Sequence, residues 1–90
     1  MGTFHADKGE LHGITVVVET HGPEVYVGRC DEERSDGIVL LDADRHVDGE
    51  GGRSNAEYLV RAAKFGVFPN HRMLLVPRAE IASVRRLGDL

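Results

Sequence analysis

Residues 25–45, VYVGRCDEERSDGIVLLDADR, hold two alternating apolar runs on either side of an acidic turn that ends Ser35-Asp36-Gly37. Alternation at period two puts every second side chain on one face, so each run can bury a face as a strand. Ser-Asp-Gly supplies the turn chemistry that joins the two runs as a hairpin. Gly28 interrupts the first run, where a missing side chain suits a sharp bend or the close approach of another backbone. A chain with this hairpin at its centre is constrained to a small curled β structure.

Short runs on both sides extend the pattern. Residues 14–20, ITVVVET, are rich in β-branched side chains, which pack well on a pleated surface, and His21-Gly22-Pro23-Glu24 then turns the chain. The spacing predicts a three-strand antiparallel meander over residues 14–20, 25–31 and 38–44. Two further strands are expected over residues 72–76 and 81–85, separated by Pro77-Arg78-Ala79-Glu80. Pro77 cannot donate to a ladder and belongs at a strand end or corner. Between the third and fourth strands, residues 47–71 form an inserted loop and helix. Ser54 and Glu57 have the spacing of a capping box, and Tyr58, Leu59, Ala62, Ala63 and Phe65 recur at helical intervals. The helix is expected over residues 56–65, with Arg61 and Lys64 near its C-terminal end and Gly66 terminating it. Phe65 and Phe68 flank that end and are expected to close one end of a barrel rather than to stack on bases.

At 90 residues and 9.9 kDa the chain has room for one modest core, not for a catalytic and a binding domain side by side. We read residues 1–90 as a single domain with an N-terminal segment over 1–12. The longest apolar runs, residues 38–41 and 73–76, fall far short of the roughly 20 residues of a membrane helix, so no membrane partner is expected. The first residues lack a secretory pattern and there is one cysteine, which together predict a cytoplasmic protein with Cys30 as a small core residue. The net charge of −4 is unevenly distributed. Twelve acids against four basic side chains through Glu50 give −8, whereas seven basic side chains against three acids give +4 from Gly51 onward. Three readings remain open: solvated charges scattered round a small barrel, a basic part that meets the acidic part of a neighbouring copy, or a local basic surface for an anionic ligand.

The alternating run Asp42, Asp44, His46, Asp48 and Glu50 offers oxygen ligands on one side of an extended strand, as calcium or magnesium would use. It matches no EF-hand loop, since one beginning at Asp44 would place His46 third and Asn55 twelfth, and the five histidines lack the paired spacing of a zinc site. An acidic, solvated strand end is the expectation, with no metal and no cofactor. Residues 49–55, GEGGRSN, precede a helix N-terminus where free N–H groups attract anions, with Arg53 as an added charge. No Gly-Lys-Ser/Thr follows, so a flexible loop with a good cap is favoured over a phosphate cradle. No nucleophile elbow is present, and no catalytic residue is assigned.

The strand pattern resembles the Sm-like family of small SH3-like β-barrels that form rings and in many cases bind RNA. Its first motif is similar to Val27-Gly28-Arg29-Cys30 followed by Gly37-Ile38-Val39-Leu40-Leu41-Asp42-Ala43. The second is similar to residues 75–84, LVPRAEIASV. The resemblance implies a mainly β, five-stranded barrel; the helix between strands three and four is an insertion where the family has a tight turn. It also implies a non-catalytic homo-oligomeric ring joined through its edge strands, with RNA as ligand at Ser35, Gly37, Arg78, Arg85 and Arg86. The chain departs from the family where RNA is usually contacted: the base-contacting asparagine falls on Gly37, and the usual Arg-Gly pair falls on Pro77 and Arg78. An oligomeric interaction module without nucleic acid is the alternative expectation.

Overall fold

The computed structural model describes residues 10–90, so most of the expected N-terminal segment, residues 1–12, lies outside the described residues. Five antiparallel strands form one sheet: β1 (Thr15–Thr20), β2 (Glu24–Arg34), β3 (Gly37–Val47), β4 (His71–Pro77) and β5 (Ile81–Arg86). One helix, α1 (Asn55–Phe65), lies between β3 and β4. The strand order is β4-β3-β2-β1-β5, which leaves β4 and β5 as the two edges. The sheet is not closed: β4 pairs with β3 and β5 with β1, and the two edges do not pair with each other. Pro77 ends β4, as expected of a residue without an N–H.

The central hairpin is longer than its apolar runs alone suggest, with eleven residues in each strand and Ser35-Asp36 as a two-residue connection between Arg34 and Gly37. Two register shifts interrupt it. Gly28 stands opposite both Asp42 and Ala43, because Val27 pairs with Asp44 and Arg29 with Leu41. Asp42 takes φ 49°, a left-handed conformation uncommon outside glycine and asparagine, as befits the extra residue of a bulge. A Cβ on Gly28 would lie 2.7 Å from the Ala43 Cβ, so the missing side chain is what allows this crossing. Asp31 is the extra residue of the second shift, between Cys30 and Glu32. Both bulges bend the ladder.

The curl is also enforced by connectivity. The edge strands β4 and β5 would stand about 19 Å apart across four flat strand spacings. Only a 3-10 turn over Arg78–Glu80 joins them, with a reach of roughly 14 Å. The sheet must therefore roll up, and its concave side holds a cluster of Val16, Val18, Cys30, Ile38, Leu40, Ala43 and Val76. The convex side is covered as well: Leu59 and Ala62 of α1 and Leu87 after β5 pack on Val17, Val25 and Val27. Val16, Val17 and Val18 are each 0% exposed because β1 is buried on both faces. Cys30 is a buried free thiol, and burial, with Glu33 and Asp31 nearby, pushes its pKa upward.

Candidate functional site

The acidic run is a latch for the inserted helix rather than a solvated strand end. Ser54 caps α1: its hydroxyl accepts from the Glu57 N–H at 3.1 Å while Glu57 Oε1 accepts from the Ser54 N–H at 3.0 Å. Asp48 Oδ1 accepts from the Asn55 N–H at 2.8 Å, and Glu50 Oε1 from the Val47 N–H at 3.1 Å. His46 is buried at 6% exposure, with Nδ1 2.8 Å from Asn55 Oδ1 and Nε2 3.2 Å from the Glu50 carbonyl. Its ring stacks on Tyr58 at 4.4 Å between centroids and 5° between planes. The Tyr58 hydroxyl donates to Asp44 Oδ2 at 2.7 Å, and Asn70 Nδ2 donates to Asp44 Oδ1 at 2.7 Å. Asp44 thus ties down both α1 and the segment that follows it. Burial first, then hydrogen bonding to Asp44 and the charges of Asp44 and Glu50, raise the Tyr58 pKa well above its ordinary value.

These bonds account for the other features expected of this region. Asp42 pairs with Arg29 at 3.4 Å, both side chains about half exposed. Among the described residues no group of three or more His, Cys, Asp or Glu side chains is placed to hold a metal ion. The glycine-rich loop turns through left-handed Gly49, Gly51 and Gly52. The N–H groups of Ser54, Asn55 and Glu57 already meet acceptors of the chain itself, so the loop offers a capped helix rather than an open anion cradle.

The residues expected to touch RNA divide into two places. Ser35, Gly37 and Arg78 come together at the tip of the β2-β3 hairpin. Ser35 is exposed there, while Gly37 is buried opposite Pro77, where a Cβ would lie 2.2 Å from the Val76 carbonyl oxygen. Arg78 fastens this tip: its Nη2 donates to the Arg34 carbonyl at 2.6 Å and its N–H to the Asp36 carbonyl at 2.9 Å. Arg85 and Arg86 are on β5, at the other end of the strand order, opposite Val17 and Val16. Arg85 pairs with Glu19 at 3.3 Å and Arg86 is exposed.

Phe65 and Phe68 do not close an end of the fold. They are 71% and 76% exposed, because α1 uses Leu59 and Ala62 to meet the sheet and its last turn extends beyond that contact. Both line a groove of about 240 Å³ together with Arg53, Tyr58 and Arg61. Met73 and Leu75 are also exposed, at 66% and 42%, and lie on edge strand β4. Among the described residues no helix is long and apolar enough to cross a membrane. No protein-family model matches the chain, and a search of curated proteins finds no match.

Proposed function

We propose that this chain is a non-catalytic, Sm-like assembly module whose copies join β4 of one to β5 of the next in a homo-oligomeric ring, each curled sheet acting as an SH3-like barrel. The observation that carries this reading is the pair of unpaired edges on one rolled sheet, with Met73 and Leu75 exposed along the β4 edge. Edge strands are ordinarily blunted by an interior proline, a bulge or a cover. On β4 the proline stands last and no bulge falls within its pairing, whereas β5 carries one shift, at Ala82 between Ile81 and Ser83. An antiparallel partner strand would satisfy the free N–H and C=O groups of both edges and bury the two apolar side chains. The short connection at Arg78–Glu80 holds β4 and β5 in a fixed relation, so each added copy is turned by the same angle and the chain of contacts can close.

Solution mass at micromolar concentration tests this. The expected result is a discrete multiple of 9.9 kDa that falls to one copy when Met73 and Leu75 are both replaced by lysine. A wild-type monomer would refute the proposal. RNA at Ser35 and Arg86 is the second reading, favoured by the exposure of both; Arg78 and Arg85 already have partners within the chain. Absorbance at 260 nm, recorded on the same sample, reports any RNA bound to the oligomer.

A further inference from the structure

We propose that the outward face of α1, with the segments that flank it, is a nucleotide-binding surface, which takes a planar base against Phe68 and Phe65 and phosphate oxygens at Arg53 and Arg61. Two exposed phenylalanines in one groove are an unusual cost for a small domain to carry without use. Cations accompany them: the Arg61 guanidinium carbon is 5.6 Å and Lys64 Nζ is 5.8 Å from the Phe65 ring centroid. Among the described residues none of the ion pairs involves Arg53, Arg61 or Lys64. Two acids, Asp44 and Glu57, line the same hollows and keep their charge, although both oxygens of Asp44 accept from Tyr58 and Asn70 and Glu57 is held in the helix cap. Arg53, Arg61 and Lys64 against these two acids leave the face locally cationic on a chain whose net charge is −4.

A second shallow concavity of about 410 Å³ adjoins the first, lined by Ala56, Val60 and the same Arg53 and Arg61. The two arginines thus stand between an aromatic groove and an aliphatic one. A phosphate placed at the arginines lets a planar group lie on the phenylalanine side. A stacking surface beside a cation is what single-stranded nucleic acid requires, because every base has a face to stack and every linkage has a charge to neutralise. An acidic peptide would use the cations and leave the rings unpaired, so the aromatic content decides for a nucleotide. The nucleotide can come free or as a unit of a strand. The surface lies within one copy, so it stands or falls independently of ring assembly.

Fluorescence anisotropy of the full chain with a labelled oligouridine of about ten nucleotides tests the proposal, with uridine monophosphate as competitor. Affinity is expected to fall steeply between about 50 and about 200 mM salt. Phe68→Ala and Arg61→Gln are each expected to weaken binding by about tenfold or more, Arg61→Gln also lowering the salt dependence. Circular dichroism and solution mass should stay unchanged in both, because both side chains are exposed. Competition by uridine monophosphate at concentrations equal to the strand assigns the site to a free nucleotide; its failure to compete assigns a strand. The proposal is overturned if neither probe binds at low salt, if both variants bind as wild type does, or if polyglutamate binds as tightly as the oligonucleotide.

Discussion

The acidic run at the end of β3 and in the loop after it, and the outer face of α1, reverse what their compositions suggest. Asp44, His46, Asp48 and Glu50 look like a ligand set in one dimension, yet Asp44, His46 and Asp48 bond to the inserted helix, and Glu50 bonds back to the Val47 N–H at the end of β3. The outer face of α1 reads as the ordinary solvated side of an amphipathic helix. With its flanking segments it nevertheless leaves two aromatic rings and three cations without a role in holding the fold. The difference shows how burial assigns purpose to polar residues. Groups that are removed from water must find partners inside, and once they have them they are no longer available to a ligand. Apolar and charged groups left together in water without partners are the better place to look for binding.

The strongest way to break this comparison is at His46. His46→Ala removes a buried ring together with its stacking on Tyr58 and its contacts with Asn55 Oδ1 and the Glu50 carbonyl, one of which loses the N–H donor of the ring. A loss of about 3 kcal/mol is expected, read as a lower denaturant midpoint at unchanged slope. A loss below about 0.5 kcal/mol, the range of ordinary surface substitutions, would return the run to the status of a solvated strand end.

Tyr58→Phe sharpens the same point with a smaller effect. The substitution keeps the ring and removes only the bond to Asp44, whose second oxygen still accepts from Asn70. About 1.5 kcal/mol is expected at neutral pH, in the range for a hydrogen bond to a charged group. The sign of its pH dependence follows from the raised pKa. Below 10.0, the hydroxyl's ordinary value, folded and unfolded chains are both protonated and the full difference between wild type and variant is present. Above it the unfolded chain gives up its proton while the folded one keeps it, so wild-type stability falls as pH rises. The gap between the two proteins should therefore narrow from about pH 9 to about pH 11. A gap that stays constant or widens would mean that burial and Asp44 do not hold Tyr58 neutral in the folded chain.

Much of this architecture is legible in the chain, and the parts that are not share a cause. The strands and the helix follow from local signals: alternation around Ser35-Asp36, and the Ser54 to Glu57 cap, which the chain uses as its spacing suggests. The unbroken valines at 16, 17 and 18 carry a signal for burial on both faces, because a strand with one wet face would alternate. What escapes is set by partners distant in sequence. The bulge at Asp42 exists because Gly28 lets Ala43 come close, and register of this kind has no local marker. The latch needs Asn55, Tyr58 and Asn70 from other elements, and only Asn55 announces itself, through its place beside the cap. Exposure of Phe65 and Phe68 depends on where the docked helix runs past the sheet, which periodicity does not encode.

The smallest expected effect is the most discriminating. Replacing Phe65 and Phe68 together by serine should change stability by no more than about 0.5 kcal/mol, as for other substitutions of exposed side chains. Two aromatics that helped close the fold would cost several times that when truncated. Helix propensity does not confuse the result, because serine and phenylalanine rank close together and Phe68 lies beyond α1. Cation–π contacts from Arg61 and Lys64 to Phe65 are lost, but at solvent-exposed sites these contribute on the order of 0.5 kcal/mol. An unchanged midpoint by denaturant unfolding, set beside the large loss at His46, would place the structural work of the insertion on its polar inner side. The aromatic outer side would then be left free for a ligand.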